Sequence, residues 1–190
     1  ITEKNKKIIF DVKCSQSLEK MIVKYGGEPL MWKTGHSLIK DKMKKENVNF
    51  AGEMSGHIFF ADDFYGFDDA LYVGLRLLKV LDNTNNTLSE LTSEIPKYHS
   101  TPEMRIECKN DDEKLKITQK AIEYFSKNYD CINIDGVRIK FKNGWGLVRN
   151  SNTQPVIVCR FEANSKKELN KMKDLVLSKL SEFGELKYDE

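Results

Sequence analysis

Two short stretches concentrate side chains that could bind or react. The first is Gly52-Glu53-Met54-Ser55-Gly56-His57, which places a carboxylate, a hydroxyl and an imidazole between glycines. Glu53 and Ser55 alternate across one residue, so an extended backbone would point both to the same side. A carboxylate beside a hydroxyl suits a polyol, because the carboxylate accepts from adjacent sugar hydroxyls while the serine donates or accepts. A tight glycine-containing hairpin with a polar surface would read the same way. The second stretch is Arg149-Asn150-Ser151-Asn152-Thr153-Gln154-Pro155, expected as a loop between two apolar strands. Arg149 offers a planar fork of donors, and Ser151, Asn152, Thr153 and the loop amides add more, a set that matches a phosphate's oxygens. A polar turn before Pro155 is the plainer alternative.

Lys13 follows one apolar segment and Lys33-Thr34-Gly35-His36 follows another, where the strands of an α/β sheet deliver ligand-binding residues. Lys13 could equally be a surface charge, and His36 could simply cap the next helix. A metal set of His36, His57, Glu53 and Asp62 is conceivable, although no HxxxH or HExxH spacing supports it. The four cysteines, Cys14, Cys108, Cys131 and Cys159, form no CxxC pair. They read as buried free thiols of a reducing cytoplasm.

The elements that must hold these residues fit a chain of 190 residues, long enough for one large domain or two small ones. With 31 basic and 29 acidic residues the net charge is +2, which lacks the excess that a nucleic-acid partner would require. Hydrophobic residues at 39% and charged residues at 32% describe a globular chain. No apolar run is long enough to span a membrane. Ile1-Thr2-Glu3-Lys4 has neither an initiator Met nor a signal pattern, which reads as a truncated or cleaved start.

Ile8, Ile9, Phe10 and Val12 predict a buried strand, then Ser15 caps a helix with Leu18, Met21, Ile22 and Tyr25 at helical spacing, stopped by Gly26-Gly27. Pro29 to Trp32 predicts a second strand, and Ser37 starts a Lys-rich helix with Leu38, Ile39 and Met43 on one side. Extended segments are expected from Phe50 to Phe60. Asp68 to Leu81 is apolar on nearly every face and is expected as a buried helix. Thr87 and Glu90 have capping-box spacing for one more short helix. Periodicity is lost from Ser93 to Thr101 beside Pro96 and Pro102, which sets the domain division at 1–95, a hinge linker at 96–104, and 105–190. Beyond it come a strand from Met104 to Cys108 and a helix with Leu115, Ala121, Ile122 and Phe125. A hairpin around Asp135-Gly136, a strand from Val156 to Phe161 and a helix capped by Ser165 and Glu168 complete an α+β second half.

The motifs FDVKCS (10–15), WKTGHSLIK (32–40), AGEMSGHIFF (51–60), YGFDDALY (65–72), DGVRIKF (135–141), GWGLVRNSNTQP (144–155) and RFEA (160–163) together closely resemble the α-D-phosphohexomutases, in their bacterial phosphomannomutase/phosphoglucomutase branch. That family joins four domains around one cleft, with a phosphoserine loop, a Mg²⁺-binding aspartate loop, a sugar loop and a phosphate loop in turn. The chain resembles the last two: a partial mixed α/β sheet domain 3 that lacks its leading helix, then a smaller, TATA-box-binding-protein-like α+β domain 4. No TASHNP-type loop and no DGDxDR loop occur, so the missing partners are domains 1 and 2. The resemblance assigns Glu53 and Ser55 to sugar hydroxyls, with Lys13, His36 and His57 lining the cleft. It assigns Arg149, Ser151, Asn152 and Thr153 to the substrate phosphate. It implies a hexose 1-phosphate to 6-phosphate isomerase of mannose and glucose, working through a 1,6-bisphosphate with Mg²⁺. No catalytic residue is expected within this chain beyond contributions from His57 and Lys13. Met54 and Asn152 depart from the GEQSGH and SGT of phosphoglucosamine mutases. A stand-alone sugar-phosphate binding module is the alternative, and an RNA-binding second half is opposed by the charge and by the absence of an aromatic RNP-type strand.

Overall fold

A computed structural model describes residues 6–188, with side chains to 186; the Ile1–Lys4 start lies outside them. The chain divides into two units, Ile1–Pro96 and Lys97–Glu190.

The first unit runs β1 (Lys7–Asp11), α1 (Gln16–Lys24), β2 (Glu28–Trp32), α2 (His36–Glu46), β3 (Phe50–Gly52), β4 (Ile58–Phe60), α3 (Ala70–Asp82) and α4 (Leu88–Thr92). Its sheet has the order β2-β1-β3-β4, with β1 parallel to both neighbours and β4 antiparallel to β3. A central parallel strand is covered on both faces, so β1 is apolar without alternation. Ile9 packs with Ala51, Phe59, Ile39 and Met43, while Phe10 packs with Cys14 and Ile22. Ser15 caps α1 through its side chain, and Thr87 with Glu90 completes a capping box on α4.

The burial expected of one helix fails here. The helix expected to be buried from Asp68 to Leu81 is α3, and none of its residues is buried. It touches the sheet through the outermost strand: the Tyr72 ring meets Phe60 at 5.8 Å and the Arg76 guanidinium lies 4.4 Å over Phe60. An edge strand offers one narrow strip to cover, so Leu71, Leu75 and Leu78 stand exposed in this chain. Leu18 of α1, Tyr25 at its C-cap and Leu38 of α2 are exposed, and only Ile22, Ile39 and Met43 of those apolar sets enter the core. The second helix also starts one residue early, at His36 behind Gly35, with no side-chain cap.

The second unit contains β5 (His99–Ser100), β6 (Met104–Glu107), α5 (Asp111–Asn128), β7 (Cys131–Ile132), β8 (Val137–Phe141), β9 (Gly144–Asn150), β10 (Val156–Ala163), α6 (Lys166–Ser181) and β11 (Lys187–Tyr188). The sheet order is β11-β6-β10-β9-β8-β7, with β5 added on β10, and every pairing is antiparallel. One face carries Ile139, Val148, Ile157, Cys159 and Phe161 against Ile117, Ala121 and Phe125 of α5 and Leu169, Met172, Val176 and Leu180 of α6. Leu115 lies outside this stripe and is exposed. His99–Ser100, read from the sequence as part of the linker, pair with Glu162–Ala163. All four cysteines are free thiols, Cys131 being half-buried and the others buried. No helix among the described residues is long and apolar enough to cross a membrane.

Candidate functional site

In the first unit three loops leave the carboxyl ends of three adjacent parallel strands: 12–15 after β1, 33–35 after β2 and 53–57 after β3. Parallel pairing alone brings them to one edge, which is where open α/β sheets bind ligands. The residue that joins them is Asp11, fully buried at the end of β1. Its carboxylate accepts from Thr34 Oγ1 at 3.0 Å, from the Met54 N–H at 3.2 Å and from Cys14 Sγ at 3.1 Å. Lys13 Nζ stands 3.9 Å away. Asp11 is not among the candidates named from the sequence; an acid inside an otherwise apolar strand is the signal that marks it.

Glu53 and Ser55 do not alternate on an extended strand. They belong to the turn between β3 and β4, closed by Glu53 N–H to His57 O at 2.8 Å and by Gly56 N–H to Glu53 O at 3.0 Å. Gly56 adopts φ +92°, a conformation costly for any side chain. The hairpin alternative is therefore the local structure, and its tip still gathers the polar groups through His57. His57 Nδ1 lies 2.7 Å from Ser55 Oγ and 3.7 Å from Glu53 Oε2, with Nε2 3.5 Å from Asp68. Glu53 is buried and its Oε1 accepts the Gly35 N–H at 2.5 Å, so the acid also fixes the start of α2. Lys13 and Glu53 thus form a buried base, with exposed Ser55 and His36 and half-buried His57 nearer solvent. That arrangement offers acceptors and donors of both kinds to a polyol, with one cation below them.

In the second unit Arg149 is a strand residue near the end of β9 and not part of the loop that follows. It is 4% exposed, and its Nε donates to Asp135 Oδ2 at 2.9 Å. An Nη reaches Asn152 Oδ1 at 3.5 Å. Ser151 is buried, its N–H bonded to Val156 O at 3.0 Å, while Asn152 and Thr153 are exposed. From α5, Lys114 Nζ donates to the Ser151 and Gln154 carbonyls at 3.1 and 3.0 Å, and Thr118 Oγ1 bonds Asn150 Oδ1 at 2.6 Å. Arg160 shares the sheet face of Arg149, since Arg149 pairs with Val158 and side chains alternate. Its Nε is buried without a hydrogen-bond partner in the described residues. A buried cationic donor left open beside Arg149 suits an anion. Asp135, Lys114, Thr118 and Arg160 were absent from the sequence reading of this site. Asp135 was legible only as a turn residue, and the two α5 residues lie more than thirty positions before the residues they touch.

Among the described residues no cluster of three or more His, Cys, Asp or Glu side chains could hold a metal ion. The set His36, His57, Glu53 and Asp62 does not assemble, because both Asp62 oxygens engage the Arg76 guanidinium at 3.0 and 2.8 Å. The Mg²⁺ implied by the resemblance therefore has no matching donor set in residues 6–188.

Residues 1–98 match the model of phosphoglucomutase/phosphomannomutase α/β/α domain III, and residues 103–179 match that of the phosphoglucomutase/phosphomannomutase C-terminal domain. A phosphomannomutase/phosphoglucomutase of Pseudomonas putida is 48% identical over 176 residues, covering 91% of this chain and 37% of that protein. A phosphoglucomutase of Neisseria gonorrhoeae is 42% identical over 170 residues, covering 88% of this chain and 37% of its own length. Among solved structures, a Burkholderia thailandensis phosphoglucomutase/phosphomannomutase family protein superposes with a TM-score of 0.83 at 41% identity, over 96% of this chain and 39% of that one. The chain thus spans a little over a third of the length of the curated relatives it matches. By the match of both its units, in order and nearly end to end, the chain belongs to the phosphoglucomutase/phosphomannomutase family, of which it carries domain III and the C-terminal domain.

Proposed function

We propose that this chain is the C-terminal, substrate-binding half of a cytoplasmic phosphohexomutase that interconverts hexose 1-phosphate and hexose 6-phosphate of mannose or glucose. In this reading Glu53 and Ser55 engage neighbouring ring hydroxyls, with Lys13, His36 and His57 around them. Arg149, Ser151, Asn152 and Thr153 bind the phosphate that is not being transferred, with Arg160 Nε as a further donor.

The observation that carries the reading is the state of Arg149. It is buried, oriented by Asp135 through Nε and followed at once by a hydroxyl-rich loop, an arrangement suited to a charge-assisted anion clamp. Glu53 would repel a phosphate, which leaves sugar hydroxyls as its partners. In the proposed cycle a phosphoserine outside this chain passes its phosphoryl group to the free hydroxyl of the sugar phosphate. The resulting 1,6-bisphosphate turns over and returns its other phosphoryl group to the serine. The chain's part is to position: it holds the sugar and the distal phosphate in either orientation.

Two assays test this. Incubated with glucose 1-phosphate, Mg²⁺ and glucose 1,6-bisphosphate, the chain alone is expected to form no glucose 6-phosphate. A chimera in which it replaces the matching part of the Pseudomonas putida relative is expected to turn over. Full-rate turnover by the chain alone, or a folded but inert chimera, would overturn the proposal.

A further inference from the structure

Lys114 sits in the first turn of α5, where the helix dipole disfavours a cation. It is nevertheless 7% exposed, and burial of an ammonium requires that its charge and donors be met. Its Nζ reaches Asp111 Oδ1 at 2.6 Å, Ser151 O at 3.1 Å and Gln154 O at 3.0 Å. An ammonium has three donors and no acceptor, so these partners use its full complement. Both carbonyls belong to the loop proposed above to clamp phosphate. With them turned toward α5, the loop keeps its repulsive oxygens away from an anion. Within the described residues the Asn152 and Gln154 N–H groups have no hydrogen-bond acceptor, and the Thr153 N–H has only a long contact of 3.4 Å to Ser151 Oγ. Three successive amides of this exposed bend are thereby left without a strong acceptor among the described residues and available to an anion.

We propose that Lys114 is the positioning residue of the anion site: without touching the ligand, it sets the peptide orientation of residues 151–154 so that the loop's amides and hydroxyls face phosphate. This rests on the phosphate assignment of that loop, and the test separates the two. Inorganic phosphate is titrated into the full chain, with affinity and the amide shifts of Asn152, Thr153 and Gln154 followed by NMR. Lys114→Met is expected to weaken phosphate about tenfold and to shift those three amides before any ligand is added, with the amides of the sheet core unchanged. Lys114→Gln keeps a donor for one carbonyl and is expected to fall between wild type and Met; it decides the matter if the Met variant does not fold. Lys114→Arg, which restores charge and donors, is expected to recover most of the affinity. Arg149→Ala serves as the reference. If it abolishes binding while Lys114→Met and Lys114→Gln bind as wild type, the positioning role is overturned and the phosphate site stands. If Arg149→Ala binds phosphate unchanged, the site itself is wrong.

Discussion

The Asp135 carboxylate reaches Arg149 Nε at 2.9 Å because the turn that carries it lies directly on β9. A Cβ placed on Gly136 would stand 2.2 Å from Val148 O and 2.7 Å from Arg149 Cα, and Gly136 holds φ +74°. Only glycine can occupy that position, so the Asp-Gly pair supplies both the close approach and the carboxylate. Gly136→Ala is expected to destabilise the second unit by more than about 2 kcal/mol. Asp135→Asn keeps an acceptor for Nε but leaves the buried Arg149 charge uncompensated, so it is expected to cost about 1 to 3 kcal/mol of stability and to weaken phosphate binding by about 1 to 2 kcal/mol as Arg149 loses its charged anchor. Thermal melts of both variants with phosphate titrations of Asp135→Asn check this, and a Gly136→Ala chain melting with wild type would contradict the packing argument.

Arg149 and Ser55 should differ in energetic weight. In the chimeric enzyme, Arg149→Ala is expected to cost roughly 2 to 4 kcal/mol in kcat/KM, the scale of losing charge-assisted contacts to an anion. Ser55→Ala should cost about 0.5 to 1.5 kcal/mol, because water can stand in for a neutral hydroxyl. Steady-state kinetics on one substrate decides between them, and an unchanged Arg149→Ala enzyme would remove the clamp.

Stability of the first unit should carry an acid-side dependence through Asp62. Hydrogen bonds from the Arg76 guanidinium hold this carboxyl below its ordinary value, outweighing the burial that raises it. A depressed folded-state pKa means the stabilisation is present above the unfolded value of about 3.9 and is lost as pH falls through the folded one. Asp62→Asn should therefore lower stability by about 0.5 to 1 kcal/mol at pH 7, the scale of a partly exposed pair. The difference should shrink below about pH 4. Urea titrations at pH 7 and pH 3, followed by Trp32 fluorescence in a Trp145→Phe background, measure it; an equal difference at both pH values would count against the ion pair.

Trypsin should cut first after Lys97. On one side Ser17 Oγ holds the Pro96 carbonyl at 2.5 Å, and Glu94 bonds Lys24 and Tyr25. On the other, the Thr101 N–H bonds Phe161 O at 3.0 Å. Exposed Lys97 lies between these anchors, at the division of the two units. Fragments 1–97 and 98–190 should accumulate together, and early cleavage within α2 ahead of Lys97 would refute the assignment.

What the sequence by itself determined was local: the capped starts of α1, α4 and α6, the buried face of β1, and the residue types of both candidate loops. Ser15, Thr87 and Ser165 act within a few residues of themselves, and short-range chemistry of that kind is written in spacing. The family resemblance was equally legible, because it rests on contiguous motifs. Only the tertiary structure decided which residues hold those motifs in place. Asp11 joins Thr34 and Met54 because β1 lies between β2 and β3, and strand order is a long-range choice that periodicity does not encode. Lys114 reaches a loop 37 positions away because α5 packs beside the strands that frame it. The exposure of α3 was invisible for the converse reason: its sequence reports how apolar the helix is, while burial depends on how much surface lies against it, and β4 is an edge strand.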